Sequence, residues 1–471
     1  MQPQSAHFKR RAAAELANAQ LQSNMRRFGG RFVAARAKVI GELDDFEGTR
    51  TAAAAARDRA LENLDVWIER FEREAKRRGA SVLFAETGEE VARLVIELCR
   101  HHGVRKVTKS KSMLSEEASL NQRLEAAGVQ AVETDLGEYI LQLAGEPPSH
   151  IIAPAIHKSK EQVADLFERA HGRPRTLDIP QMTREAREVL RGHFLSADMG
   201  ISGGNFLIAE TGSVALVTNE GNGRMVTTLP RVHVCITGIE KVLPTLEDLA
   251  LVMRLLPRSA TGQSISNYFT VATGVRAPGD RDGPEHMYFI LVDNGRTNLI
   301  GGDLHEMLRC IRCGACMNHC PVYQTIGGHA YGWVYPGPMG SVLTPSYLGL
   351  ENALDLPHAS TLCGECGVVC PVKIPLPELL RKLREKQVDR GLRPRSEVLA
   401  IRAWSWLAQR PRLYASVTRM AARYLRFLGG GRRRISRLPF GGAWTRGRDM
   451  PAPEGRTFRE LYARRRVDSG K

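Results

Sequence analysis

Long apolar runs are missing from this chain of 471 residues. No stretch approaches the ~18 consecutive apolar residues of a membrane span; residues 287–292 are only strand length. Residues 1–20 are basic but hold no apolar h-region, which argues against a secretory signal and for a cytoplasmic protein. The glycine-bearing loops match neither a dinucleotide fingerprint nor a P-loop. No nucleic-acid motif accompanies the basic charge, so nucleic acid is not an expected partner. What remains is a hydrophobic content of 43%, ordinary for a globular protein, over a length sufficient for two or three domains.

Cysteine is also scarce, nine in all, and unevenly placed. Seven fall in two runs, Cys310-x-x-Cys313-x-x-Cys316-x-x-x-Cys320-Pro321 and Cys363-x-x-Cys366-x-x-x-Cys370-Pro371. The first has the bacterial ferredoxin spacing for cubane iron–sulfur clusters. Thiolates are the soft, anionic donors that such iron takes, and two-residue gaps let a short loop wrap three corners of one cube. The fourth cysteine of each run ligates the other cube in this pattern. Cluster one is thereby assigned Cys310, Cys313, Cys316 and Cys370. Cluster two is assigned Cys320, Cys363 and Cys366.

Stepping back three residues from Cys363 lands on Ser360, so one iron of the second [4Fe–4S] cluster has no thiolate. Ser360 offers an oxygen, His358 an imidazole, and water a third filling. A labile corner or a three-iron [3Fe–4S] species completes the alternatives. Zinc ribbons also use paired Cys-x-x-Cys, but seldom add a third cysteine after two residues and a Cys-Pro after three. Disulfides fit poorly with crowded thiols in a chain without a secretory segment. Cys99 and Cys235 read as small buried apolar residues.

Acidic charge is lacking in one region. Between residues 381 and 471 stand 25 Lys and Arg against 7 Asp and Glu; the whole chain has 67 against 51, which leaves 42 against 44 elsewhere. The positive excess therefore sits in the tail, and marks a contact surface for an acidic partner or an anionic membrane face. Residues 396–410 and 413–428 read as helices separated at Pro411, the second basic and amphipathic, and 429–434 as a flexible linker.

Residues 1–80 read as a helical segment capping the next domain. Across 81–296, short apolar runs at 82–85, 104–108, 129–132, 151–153, 206–209, 214–218, 232–236 and 288–292 alternate with helical stretches. That rhythm predicts an α/β layered domain with a mainly parallel sheet. A helical ferredoxin-type domain with two clusters is expected over 297–392, and the basic helical tail over 393–471. Ligands of open α/β sheets bind beyond the carboxyl ends of strands. The loops at 200–205 and 219–224, with Lys109, Lys111 and Arg224, are therefore candidates for a small-anion site. The plainer reading is of turn glycines and solvated lysines.

The cysteine runs, the linker Gly327-Gly-His-Ala-Tyr-Gly-Trp-Val-Tyr-Pro-Gly-Pro-Met-Gly340 and the segment Glu210-Thr-Gly-Ser-Val-Ala215 resemble the lactate-utilisation iron–sulfur protein B family. The likeness runs the whole length and includes the count of seven cysteines. It implies one component of a three-part system oxidising L-lactate to pyruvate, with the other lactate-utilisation subunits and an unidentified electron acceptor as partners. It also implies an α/β domain related in fold to the sugar-isomerase and CoA-transferase-like group, and electron carriage rather than a lactate site. The competing readings are an oxidoreductase that itself binds a small carboxylate in the α/β domain, and a scaffold or redox sensor acting through the tail. No His base with an orienting carboxylate stands near the candidate loops, which favours the carrier.

Overall fold

The structure is a computed structural model and describes residues 2–266, 268–439, 441–445 and 448–468. These form two compact units, Met1–Gln387 and Val388–Lys471.

The first unit is built on ten strands: β1 (Ser81–Ala85), β2 (Lys106–Lys109), β3 (Gln130–Glu133), β4 (Met199–Gly203), β5 (Phe206–Ile208), β6 (Ser213–Thr218), β7 (Val232–Gly238), β8 (Val242–Leu243), β9 (Tyr268–Thr273) and β10 (His286–Val292). Six form an all-parallel sheet in the order β1-β10-β7-β4-β2-β3. All seven residues of the central β7 are buried, which is why that strand reads as an almost unbroken apolar run. Its one polar ring is paired, His233 Nε2 lying 2.8 Å from Ser202 Oγ. The helix Gly88–His101 packs on this sheet. Thr87 caps it by accepting from the Glu90 N–H at 3.2 Å. Val91, Val95 and Cys99 recur at four-residue spacing on its buried face, so Cys99, like Cys235 in β7, is core.

Three local expectations are corrected. Residues 151–153 form no strand: the Ile152 and Ala153 N–H groups both donate to His150 Nδ1, at 2.9 and 3.0 Å, closing a turn. Residues 200–203 are not loop but the body of β4. A Cβ at Gly200 would lie 1.9 Å from the Val226 carbonyl oxygen, so glycine there admits the helix Asn222–Thr228 across the strand. Finally, β5 and β6 leave the parallel sheet for a second one, ordered β8-β5-β6-β9, where β6 is antiparallel to both neighbours.

The N-terminal segment is helical as expected, with helices Phe8–Ala17, Ala19–Ile40, Phe46–Glu62 and Leu64–Arg77. The second unit holds helices Arg395–Ala408 and Pro411–Gly429, where Pro411 opens the second helix at a position needing no N–H. Residues 429–434 are not wholly linker, since Arg434 and Ile435 pair with Pro451 and Met450. Leu413, Met420, Tyr424 and Phe427, at seven-, four- and three-residue spacing, form an exposed apolar stripe. No helix among the described residues is long and apolar enough to cross a membrane.

Candidate metal centre and the cavity beside it

The two cysteine runs fold as a structural repeat. In the first, Arg312 and Gly314 flank Cys313 with φ of 58° and 75°; in the second, Leu362 and Gly364 flank Cys363 with φ of 54° and 91°. A non-glycine residue in the left-handed region is uncommon. Its recurrence at matching positions shows the same loop built twice. Short helices, Ala315–Asn318 and Glu365–Val368, follow each loop. The repeat sets Ser360 where the first loop has Cys310. The Ser360 hydroxyl accepts from the Leu362 N–H at 3.1 Å, and its carbonyl accepts from Arg384 at 3.0 Å. The His358 ring is instead engaged with Gln387 at 3.0 Å.

The thiols crowd one another: Cys313 and Cys316 feel Cys310 and Cys370, and Cys366 feels Cys320 and Cys363. Burial raises the Cys313 thiol to about 12, with Cys370 and Cys310 adding to the shift. Cys316 is pushed up by burial and by Cys313, Cys310 and Cys370. Burial, Cys320 and Cys363 raise Cys366 to about 12. Cys366 also acts on Cys316, so the groups adjoin there. Backbone N–H groups oppose these shifts: Ile374 donates to Cys370 Sγ at 3.3 Å, and Ala315, Val322 and Gly367 serve Cys313, Cys320 and Cys366. Among the described residues no three His, Cys, Asp or Glu side chains converge on a single ion-sized point. The ligand assignment rests on the spacing and on this grouping. Four and three crowded thiols, each group served by N–H donors that stabilise thiolate, fit a pair of cubanes in donor type and fall one short of the eight thiolates that two cubanes take.

Cations surround the first group, and three of them come from the N-terminal helices. Arg36 donates to the Val369 carbonyl at 2.9 Å, and Arg50 to the Cys370 and Val368 carbonyls at 2.6 and 2.8 Å. Arg57, 0% exposed, donates to the carbonyls of Val242 and Leu308 at 2.9 and 3.1 Å and to that of Glu240. From the sheet side, Lys241 donates to the Cys310 carbonyl at 2.6 Å. The N-terminal segment is thus more than a cap on the α/β domain, because it clamps the cysteine loops. The run Ala52-Ala-Ala-Ala-Ala56 between Arg50 and Arg57 lets that helix approach closely. Nothing in the sequence said that its arginines would find carbonyls so far along the chain.

A cavity of ≈ 470 Å³ opens at the carboxyl ends of β2, β4, β6 and β7, and the first cysteine loop closes one side through Arg312. One network joins sheet to loop. Arg296 grips Glu117 with both Nη atoms at 3.1 Å, meets Glu240 through Nε at 2.9 Å, and lies over the Tyr347 ring at 4.9 Å. Tyr335, from the linker, donates to Glu117, and Arg312 stacks over its ring at 4.7 Å. Burial alone would raise Glu240, but Arg296, Lys241 and Arg312 hold it down at about 2. Of the three cations expected at an anion site, only Lys111 lines the cavity. Lys109 is buried in a pair with Glu133 at 2.5 Å, and Arg224 is exposed on the helix Asn222–Thr228, outside the lining. Lys241, Arg296 and Arg312 were missed. The first follows the carboxyl end of β7 and the last sits inside the first Cys-x-x-Cys gap, so position alone pointed to both.

Residues 68–292 match the LUD domain, 306–374 the 4Fe-4S dicluster domain, and 380–467 the C-terminal domain of lactate utilisation protein B. With the thiol groups and the α/β sheet in one unit, these matches define an iron–sulfur protein built on a LUD domain. Lactate utilization protein B of Bacillus licheniformis is 42% identical, covering 98% of this chain and 98% of its own length. That of Geobacillus kaustophilus is 45% identical over 91% of each chain. A relative in Escherichia coli K12, named as the uncharacterized electron transport protein YkgF, is 41% identical over 94% of this chain and 93% of its own. The chain belongs to the lactate utilisation protein B family.

Proposed function

We propose that this protein relays single electrons during oxidation of L-lactate to pyruvate, holding two [4Fe–4S] clusters and working with other lactate-utilisation components and an electron acceptor. The observation that carries the reading is the division of seven thiols into adjoining groups of four and three on a repeated loop. The clusters, when bound, supply centres that take up and release one electron at a time. Two such centres match the two electrons that a hydroxyl-to-ketone oxidation releases.

The chain's own residues then have distinct tasks. Cys310, Cys313, Cys316 and Cys370 hold the first centre, and Cys320, Cys363 and Cys366 hold the second, with Ser360 in the place of a fourth thiol. Buried Tyr331, Trp333 and Tyr335 keep water away. The cations Arg36, Arg50, Arg57 and Lys241 favour the more negative, reduced state of the first centre. The basic second unit serves as a contact surface for an acidic partner subunit or an anionic membrane face, and the protein works in the cytoplasm. Iron and sulfide analysis of anaerobically purified protein tests the core of this reading: about eight irons per chain is expected, or seven with a three-iron second centre, and fewer than about six overturns it.

A further inference from the structure

The cavity at the carboxyl ends of β2, β4 and β7 has no task in the relay described above. We propose that it is a binding site for a small carboxylate, a 2-hydroxy or 2-oxo acid, whose charged end is received by Arg312 and Lys111 beside the first cluster loop. The inference rests on the relay reading, because the loop that holds cluster one forms a wall of the site.

Position is the first support. The chain runs from β2 outward to β3 and then returns to place β4 on the other side of β2. Loops leaving the carboxyl ends of β2 and β4 therefore part in opposite directions, the arrangement that opens ligand crevices in α/β sheets. The volume of ≈ 470 Å³ lies within the usual range of ligand sites, and apolar Ile152, Leu216 and Ile236 share the wall with the charged groups.

Unused hydrogen-bonding capacity is the second. Arg296 spends both Nη atoms on Glu117 and faces Glu240 through Nε at ion-pair distance. Arg312 has no such grip. Its closest carboxylate oxygen among the described residues, on Glu240, is 3.7 Å away, and its other partners are the Met339 sulfur at 3.1 Å and the face of Tyr335. A guanidinium carries five N–H donors in a fork shaped for a carboxylate. Lys111 is held as loosely, 3.4 Å from Asp135 and 3.2 Å from the Ile152 carbonyl.

Charge is the third. At the Arg312 end, Glu240 faces three cations at once, Arg296, Lys241 and Arg312, and one of these three is further matched by Glu117; the carboxylates Asp135 and Glu220 line the Lys111 end. An incoming carboxylate offsets the positive remainder at the Arg312 end. Because Arg312 stands between Cys310 and Cys313, such an anion also removes part of the positive charge that favours reduction of cluster one. Binding and reduction then oppose each other reciprocally: the oxidised protein holds the acid more tightly, and the bound acid makes the midpoint potential of cluster one more negative.

The test uses iron-loaded full-length protein and three probes, L-lactate, pyruvate and the unreactive analogue oxamate, followed by calorimetry and by potentiometry with paramagnetic resonance. Oxamate is expected to bind the oxidised protein, to shift the cluster-one midpoint negative and to leave cluster two unmoved. Lys111→Gln, which leaves every cysteine and the cluster loops intact, and Arg312→Gln should each weaken binding about tenfold or more. The proposal is overturned if none of the three acids binds fully loaded protein at millimolar concentration. It is equally overturned if both variants bind as wild type does, if only cluster two responds, or if inorganic phosphate competes on equal terms. Iron counted on the same sample reports on the relay separately, so the two readings fail independently.

Discussion

Lys241 donates a hydrogen bond to the backbone carbonyl of Cys310 at 2.6 Å. A residue just beyond a sheet strand therefore holds the first cysteine of the first run. The same lysine sits on the cavity wall, so cavity and cysteine loop share their positive charge. Five consequences can be measured.

Burial and then Arg312 pull the Lys241 amine down to about 7, so replacing it with methionine keeps its length and removes the charge that it carries below that pH. Reduction adds negative charge to the neighbouring cluster, so loss of a nearby cation disfavours it. The midpoint of cluster one should fall by roughly tens of millivolts, and that of cluster two by less. A fully loaded variant with an unchanged potential would rule out electrostatic tuning by this residue.

Ser360→Cys places a thiol where the repeat already has the right backbone, given the matching left-handed residues Arg312 and Leu362. The variant should surrender iron to a chelator several-fold more slowly than wild type and give a second reduced signal typical of four-thiolate cubanes. Equal iron loss in both proteins would place the open corner elsewhere.

Lys109 is a folding residue in this structure. With Glu133 buried beside it and Asn121 Oδ1 2.5 Å from its amine, Lys109→Met leaves a buried carboxylate unpaired. The loss in unfolding free energy should be about 3–5 kcal/mol by urea titration. Lys109→Met combined with Glu133→Leu should recover much of it. If the single variant is as stable as wild type, the pair has no structural role.

Burial pushes His233 down to about 4 from an ordinary value near 6.5. The folded state thus binds its proton later than the unfolded state does. The stability it contributes is complete above pH 6.5 and is lost as the pH falls toward 4. By pH 5.5 the loss reaches about 1.4 kcal/mol. His233→Gln should flatten that part of the stability–pH profile, whatever its effect at neutral pH. Parallel profiles for the two proteins between pH 7 and 5.5 would contradict the assignment.

The second unit should bind vesicles rich in anionic lipid and ignore neutral ones, through its arginines and the stripe Leu413, Met420, Tyr424 and Phe427. Binding should weaken as salt rises. Changing Met420, Tyr424 and Phe427 together to serine should abolish co-sedimentation while the first unit keeps its iron. Flotation with neutral vesicles, or none with anionic ones, would exclude membrane docking.

The sequence was most legible where one chemistry permits few spacings. The cysteine gaps foretold an iron–sulfur domain, and the offset between the two runs set Ser360 opposite Cys310 in the repeated loop. Alternating apolar runs foretold the α/β domain, since β7 and β10 are covered on both faces. It was least legible where glycine serves packing rather than turning, as at Gly200 inside β4. It was also silent where a cation is spent on distant carbonyls. Lys109 ends β2 and Lys111 lies two residues on, outside the strand, so the first is buried against Glu133 and the second stands on a cavity wall. Local sequence carries no trace of that choice, which depends on Glu133 and Asp135 in the neighbouring chain segment.

The reach of the N-terminal arginines also sets an order of events during synthesis. Arg36 meets a carbonyl 333 residues further on, and Arg50 one 320 residues on. At ordinary elongation rates the ribosome needs roughly 15–60 s to make the intervening chain. Through that interval helices made first lack the acceptors that they finally bind. Nascent chains halted before residue 368 should be cleaved by protease within 19–62, and chains released after residue 387 should resist. The residues made earliest are thus among the last to be secured.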